Sequence, residues 1–205
     1  MFNIDGKFFG FISRLGDLVI LNVLFWVCCI PVFTIGAATT AMYSVTKKMA
    51  ENKESYIIRS FFQAFKENFK QSTIMWLILM VLALIPLIDF YIISFMEKGI
   101  AQTLFRGFML LSLIVIIFVI IYALTLQCTF ENTIKNTLKN ALFISLGHAP
   151  WSIVITILTL SPYISLLYFG KYFGVELLAI LLIWFSGVAY INSFILNRIY
   201  KKYMQ

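Results

Sequence analysis

A chain of 205 residues that is 61% hydrophobic, 17% aromatic and only 12% charged lies far from soluble globular proteins, in which about 25% of residues are charged. Its formal net charge of +7 does not indicate nucleic acid, because the Lys and Arg residues sit just outside apolar runs, where they flank membrane spans. The length accommodates five spans of about 20 residues. The expected fold class is therefore all-α: a polytopic transmembrane helical bundle of about five spans, one integral membrane domain over residues 1–205, with cytoplasmic amphipathic helices.

Residues 5–16, DGKFFGFISRLG, are aromatic and mildly amphipathic and are expected at the membrane interface. Asp5, Lys7 and Arg14 and the lack of a small-x-small site argue against a cleavable leader. The first span, 17–37, reaches Pro31 after about fourteen residues, a rise of only about 21 Å against a hydrocarbon core of about 30 Å. The helix either continues through a kink at Pro31 towards Gly36, or breaks there and turns back as a re-entrant element. The small residues at 37–41 permit a break and close helix packing.

Residues 42–55 read as a helix end and a polar turn carrying Lys47, Lys48, Glu51, Lys53 and Glu54. The stretch 56–74, YIIRSFFQAFKENFKQSTI, is basic, aromatic and amphipathic. On a helical wheel Ile58, Phe61, Phe62, Phe65 and Phe69 share a stripe flanked by Arg59, Lys66 and Lys70. Such a helix either anchors at the headgroup level of the lipid bilayer or presses its aromatic face onto a protein partner. It leads without a break into span two, 73–94, which contains Pro86 and Asp89.

A loop with Glu97, Lys98, Gly99 and Arg106 precedes span three, 107–127. Residues 129–142, TFENTIKNTLKNAL, form a second amphipathic helix with Lys135 and Lys139. Span four, 151–169, holds Ser161-Pro162. A turn at Gly170, Lys171 and Gly174 leads to span five, 175–197, and a basic tail of Arg198, Lys201 and Lys202. Residues 65–72 echo 134–141 as apolar, Lys, two variable, apolar, Lys, amide, small, which fits either shared interfacial chemistry or a duplicated docking unit.

Most of the cations, from Lys47 to Lys70, at Lys135 and Lys139 and in the tail, fall on one side of this layout. Five full spans then predict an amino terminus outside and a carboxy terminus in the cytoplasm. A re-entrant first segment would move the amino terminus inside and leave the rest unchanged.

Catalytic motifs are missing. A lone His148 rules out an internal His-Glu-x-x-His site, and neither a phosphate loop nor a Gly-x-Ser-x-Gly elbow is present. Cys28, Cys29 and Cys128 lack metal-ligand spacing. No enzyme activity, cofactor or metal is expected. Asp89 reads as an acid at the outer interface beside Tyr91, or as a cation or proton site, or as a partner of Arg106. Asn22 and Asn192, with Tyr190, Ser193 and Asn197, either hydrogen-bond between helices or line a path for a polar solute.

Three stretches carry a family resemblance: Arg14 to Asn22; Pro31-Val32-Phe33-Thr34-Ile35-Gly36-Ala37-Ala38-Thr39-Thr40-Ala41; and Phe61 to Gln71 with its core Phe65-Lys66-Glu67-Asn68-Phe69-Lys70-Gln71. With Phe130-Glu131-Asn132-Thr133 and Leu138-Lys139-Asn140-Ala141, they resemble the YesL family over nearly the whole chain. The resemblance implies a small integral plasma-membrane protein of Gram-positive bacteria, often encoded beside carbohydrate ABC importers, and supplies no catalytic residues. The leading expectation is an accessory subunit touching the permease or ATPase of a sugar ABC importer through Arg59, Phe61, Phe62, Phe65, Lys66, Phe69, Lys70, Lys135 and Lys139. The alternative is an independent carrier or channel for a small polar solute, using Asn22, Asp89 and Asn192.

Overall fold

The computed structural model describes residues 4–53, 56–95, 99–168 and 173–203. Among them there are helices and no strand. In chain order they are α1 (Ile4–Cys29), a 3-10 turn (Val32–Thr34), α2 (Ile35–Ala50), α3 (Ile57–Ile93), α4 (Ile100–Gln127), α5 (Ile134–Gly147), α6 (Ala149–Tyr168), α7 (Phe173–Ala179), a π-helical segment (Ile180–Trp184), α8 (Phe185–Tyr200) and a closing 3-10 turn (Lys201–Tyr203). Five stretches are long and apolar enough to cross a membrane: Ile12–Cys29, Ile57–Ile93, Ile100–Gln127, Ala149–Leu166 and Phe173–Tyr203.

The first span is broken, and the break is a turn back. Pro31 is extended, with φ −78° and ψ 115°, and a residue before proline avoids the helical region, so α1 stops at Cys29. The Thr34 hydroxyl closes the turn, lying 2.5 Å from the Cys28 carbonyl and 2.6 Å from that of Pro31. The Trp76 indole N–H of α3 donates to the Val32 carbonyl at 3.0 Å. From there α2 runs antiparallel to α1. Leu18 and Asn22 of α1 bond progressively earlier parts of the last helix, whereas Tyr43 and Thr46 of α2 meet Asn192 and Ser193 in the same chain sense. Arg14 then donates to Asn52, just beyond α2, and to the Tyr190 hydroxyl. The expected placement of the two chain ends on opposite faces assumed a full first crossing; with the turn at Pro31, residue 14 lies at the same end of the bundle as Asn52 and Tyr190.

Helix α2 is the buried centre. Its small residues Gly36, Ala37, Ala38, Thr40 and Ala41 are all buried. A Cβ added at Gly36 would lie 2.5 Å from the Trp76 Cβ and 2.6 Å from the Ser72 carbonyl oxygen. Glycine is what lets α2 and α3 touch backbone to backbone. The chain reverses after α2 through Asn52, which adopts the left-handed conformation at φ 56°, a region that Asn tolerates better than most residues.

Helix α3 has 37 residues and is therefore about 55 Å long. Tilted by about 40°, the upper end of the range seen for membrane helices, it would still extend about 42 Å along the bilayer normal, against about 30 Å of hydrocarbon. Part of it must project. The stretch from Leu77 to Ile92 exposes Leu, Ile, Val and Phe side chains, which is the surface lipid accepts. The projecting part is the one that carries Arg59, Lys66 and Lys70.

Helices α3 and α4 form a hairpin, pinned by Gln102 to the Ile93 carbonyl at 3.0 Å and by Gln127 to Gln71 at 2.6 Å. Arg106 lies inside α4, because that helix begins at Ile100; Glu97 and Lys98 of the expected loop lie outside the described residues. The second amphipathic helix starts later than residue 129. Thr133 caps α5 by accepting the Asn136 N–H. Gly170 and Lys171 of the expected turn also lie outside the described residues, whereas Gly174 is helical.

Candidate functional site

Two regions carry chemistry: the projecting face of α3 with α5, and a buried polar seam through α1, α2, α6 and α8.

On α3 the expected aromatic stripe divides. Phe61 is fully buried at 0% exposure, in line with Ile57, Ala64, Ser72 and Met75, spacings that form one face of a helix. It belongs to the core and is withdrawn from the expected contact surface. Ile58, Phe62 and Phe69 are exposed, and Phe65 is half-buried between the two faces. The rings form a ladder, with centroids 6.2 Å apart for Phe61 and Phe65 and 5.4 Å for Phe65 and Phe69. Arg59, Lys66 and Lys70 are exposed beside them. Helix α5 buries Thr137, Ala141, Ile144 and Ser145 and turns Lys135 and Lys139 outward. Phe143, 63% exposed, joins that outer face one residue beyond the amphipathic stretch 129–142 expected from the sequence.

In the seam, Asn22 is fully buried and serves the π-helical segment. A π turn widens the backbone ring to an i to i+5 bond and disturbs the carbonyl ladder around it. The Asn22 amide donates to the Ile180 carbonyl at 3.0 Å and to that of Leu181 at 2.7 Å. Its Oδ1 accepts the Ser186 backbone N–H at 3.0 Å. The Ser186 hydroxyl in turn donates to the Leu18 carbonyl at 2.7 Å. Backbone groups that lipid cannot satisfy are thus paired by side chains of the neighbouring helix.

Nearer the other end, Asn192 donates to Thr159 at 3.1 Å and to the Tyr43 hydroxyl at 3.3 Å, while its Oδ1 is buried without a partner. Thr46 and Ser193 share a bond of 2.8 Å, as do Thr40 and Ser72 at 2.9 Å. Lys47 donates to Thr129 at 3.1 Å. Between α2, α4 and α8, Tyr43, Lys47, Thr125, Thr129, Ser193 and Tyr200 border a space of about 10 Å³, roughly that of one water. The sequence signal for this seam was the hydroxyl residues of α2, which recur at helical spacing inside an apolar context.

Asp89 stands apart. It is half-buried on α3, shares no partner with Asn22 or Asn192, and forms no ion pair among the described residues. The Arg106 guanidinium lies instead over the Phe90 ring, 5.9 Å from its centroid. Among the described residues no three His, Cys, Asp or Glu side chains gather as a metal site. Outside the spans, Glu51 pairs with Lys53 at 2.8 Å, and that hydrogen bond holds the Glu51 carboxyl below its ordinary value.

A family model described as "Protein of unknown function, DUF624" matches residues 18–90, from the second half of α1 through nearly all of α3. "Uncharacterized protein YesL" of Bacillus subtilis (strain 168) is 29% identical over 111 residues, covering 54% of this chain and 53% of that protein. The match thus spans about half the length of the curated relative. No solved structure matches.

Proposed function

We propose, from the premise that the chain is a YesL-like membrane protein, that it acts as a non-catalytic accessory subunit of a carbohydrate ABC importer. The observation that carries this reading is the projecting row of Ile58, Phe62 and Phe69 on α3, exposed and flanked by Arg59, Lys66 and Lys70. A helix that presents apolar anchors at i, i+4 and i+11 beside cations suits a groove on a partner. The gene neighbourhood implied by the family resemblance selects an importer's permease or ATPase as that partner.

In this reading the protein sits in the plasma membrane with the basic ends of α2, α3 and α8 in the cytoplasm, in keeping with the positive-inside rule. In the same reading residue 14, which bonds Asn52 and Tyr190, shares that side.

A photoreactive residue at Phe62 or Phe69 in native membranes tests the proposal. Capture of a permease or ATPase subunit supports it, and capture of lipid alone overturns it.

A second reading, an independent carrier for a small polar solute, is favoured by one observation: irregular backbone at 30–34 and again at 180–184, the device by which carriers place polar groups within the bilayer. Sugar flux in reconstituted vesicles that is abolished by Asn22→Leu would support it over the accessory reading.

A further inference from the structure

The junction between α5 and α6 and the last turn of α8 border a groove of about 330 Å³, lined by His148, Trp151, Phe194, Arg198, Ile199 and Lys202 among others. We propose that this groove binds the phosphate headgroup of an anionic phospholipid, with the acyl chains leaving along Trp151 and Phe194.

The lining has two halves. Arg198 and Lys202 are both exposed, and no carboxylate pairs with either among the described residues. Lys201 follows in the same turn. The three cations repel one another, and an anion between them relieves that repulsion. The guanidinium of Arg198 offers the planar fork that suits phosphate oxygens. His148 adds a ring nitrogen: its Nδ1 lies 3.3 Å from the Ile144 carbonyl, and the Tyr203 ring packs on its edge at 5.9 Å. With Nδ1 as the donor there, Nε2 stays available to the groove.

The other half is apolar. Trp151 is 44% and Phe194 50% exposed, surfaces that a free phosphate or a sugar phosphate would leave in water. The groove lies at the paired ends of Ala149–Leu166 and Phe173–Tyr203, two stretches able to cross a membrane. Cations beside an indole at that depth are where a phospholipid's charge and chains meet. A neighbouring cavity of about 530 Å³ shares Phe194 and Arg198 and adds Lys201 and the Glu51–Lys53 ion pair, so Lys201 is the one net charge it contributes beside the groove. Docking of an importer subunit on α3 uses none of these residues, and the two proposals stand or fall separately.

The test is native mass spectrometry on the full chain in detergent, with phosphatidylglycerol and phosphatidylcholine of the same acyl chains. Retained phosphatidylglycerol with little phosphatidylcholine is the expected result. Arg198→Gln with Lys202→Gln should weaken phosphatidylglycerol retention roughly 30-fold, each interfacial cation contributing about fivefold. Lys48→Gln, an exposed cation at the end of α2, should leave retention unchanged. If the double variant does not fold, Lys202→Gln alone, with its expected loss of about fivefold, carries the same test. Equal retention of the two lipids overturns the proposal, as does unchanged binding by the folded variants. Displacement of the lipid by millimolar inorganic phosphate would mark a free-anion site and overturn it as well.

Discussion

Asn22 and Ser186 are 164 residues apart in the chain, yet the Oδ1 of one accepts the backbone N–H of the other at 3.0 Å inside the bundle. The same amide donates to two carbonyls of the π-helical segment, so one side chain fastens α1 to the only irregular turn described in the last helix. Asn22→Leu removes all three bonds and strands backbone groups where water is scarce. Interhelical hydrogen bonds in membranes average about 0.6 kcal/mol each, and unpaired buried groups cost more. We expect a total loss of about 2 kcal/mol, read as a lower unfolding midpoint in detergent. Trp26→Phe, which gives up only a bond of 3.4 Å to Ile180, should cost much less.

Gly36→Ala tests the contact of α2 with α3. The new methyl would meet the Trp76 Cβ and the Ser72 carbonyl, neither of which can move without its helix, and overpacking of this kind costs about 1–3 kcal/mol. Gly187→Ala has open space around its Cβ and should be neutral or gain up to about 1 kcal/mol from helix propensity. Thermal unfolding of the two variants side by side gives the comparison.

Phe61 and Phe62 are adjacent in sequence and opposite in role. Phe61→Ala should destabilise the bundle by about 3–5 kcal/mol, the usual cost of emptying a buried aromatic site. Phe62→Ala should change stability by less than about 0.5 kcal/mol while reducing the yield of partner crosslinking from Phe69. Unfolding midpoints and crosslink yields read the two effects independently.

The hairpin of α1 and α2 predicts that cysteines placed at Gly10 and Lys53 react with a membrane-impermeant maleimide from the same side of sealed vesicles. A full crossing by the first segment would put them on opposite sides. The native cysteines are all free and half-buried, so the unsubstituted protein sets the background.

Much of this architecture is legible in the residues themselves. The continuity of α3 follows from a wheel that keeps its phase from Ile58 into the apolar run, and the break in the first span from an apolar stretch too short to cross before Pro31. Two things were not readable. A wheel puts Phe61 and Phe62 on one broad stripe, at its two sides about 100° apart, but only the packing of α2 and α4 decides which of them faces inward. The π turn at 180–184 falls in Ile-Leu-Leu-Ile-Trp, which differs in no obvious way from ordinary helix. Its trace is the partner rather than the turn, since a lone Asn22 in an apolar stretch has amide groups to satisfy. The direction of α2 is unreadable for a similar reason, because Pro31 marks a break and says nothing of the angle beyond it.

The length of α3 has a mechanical consequence. Its hydrogen-bond ladder runs unbroken from the apolar stretch to Phe62, and its one proline, Pro86, lies far towards the other end. Torsion applied within the bilayer is therefore transmitted along the helix as along a shaft. If the membrane-embedded half rotates, the rings of Phe62 and Phe69 sweep through the same angle above the surface.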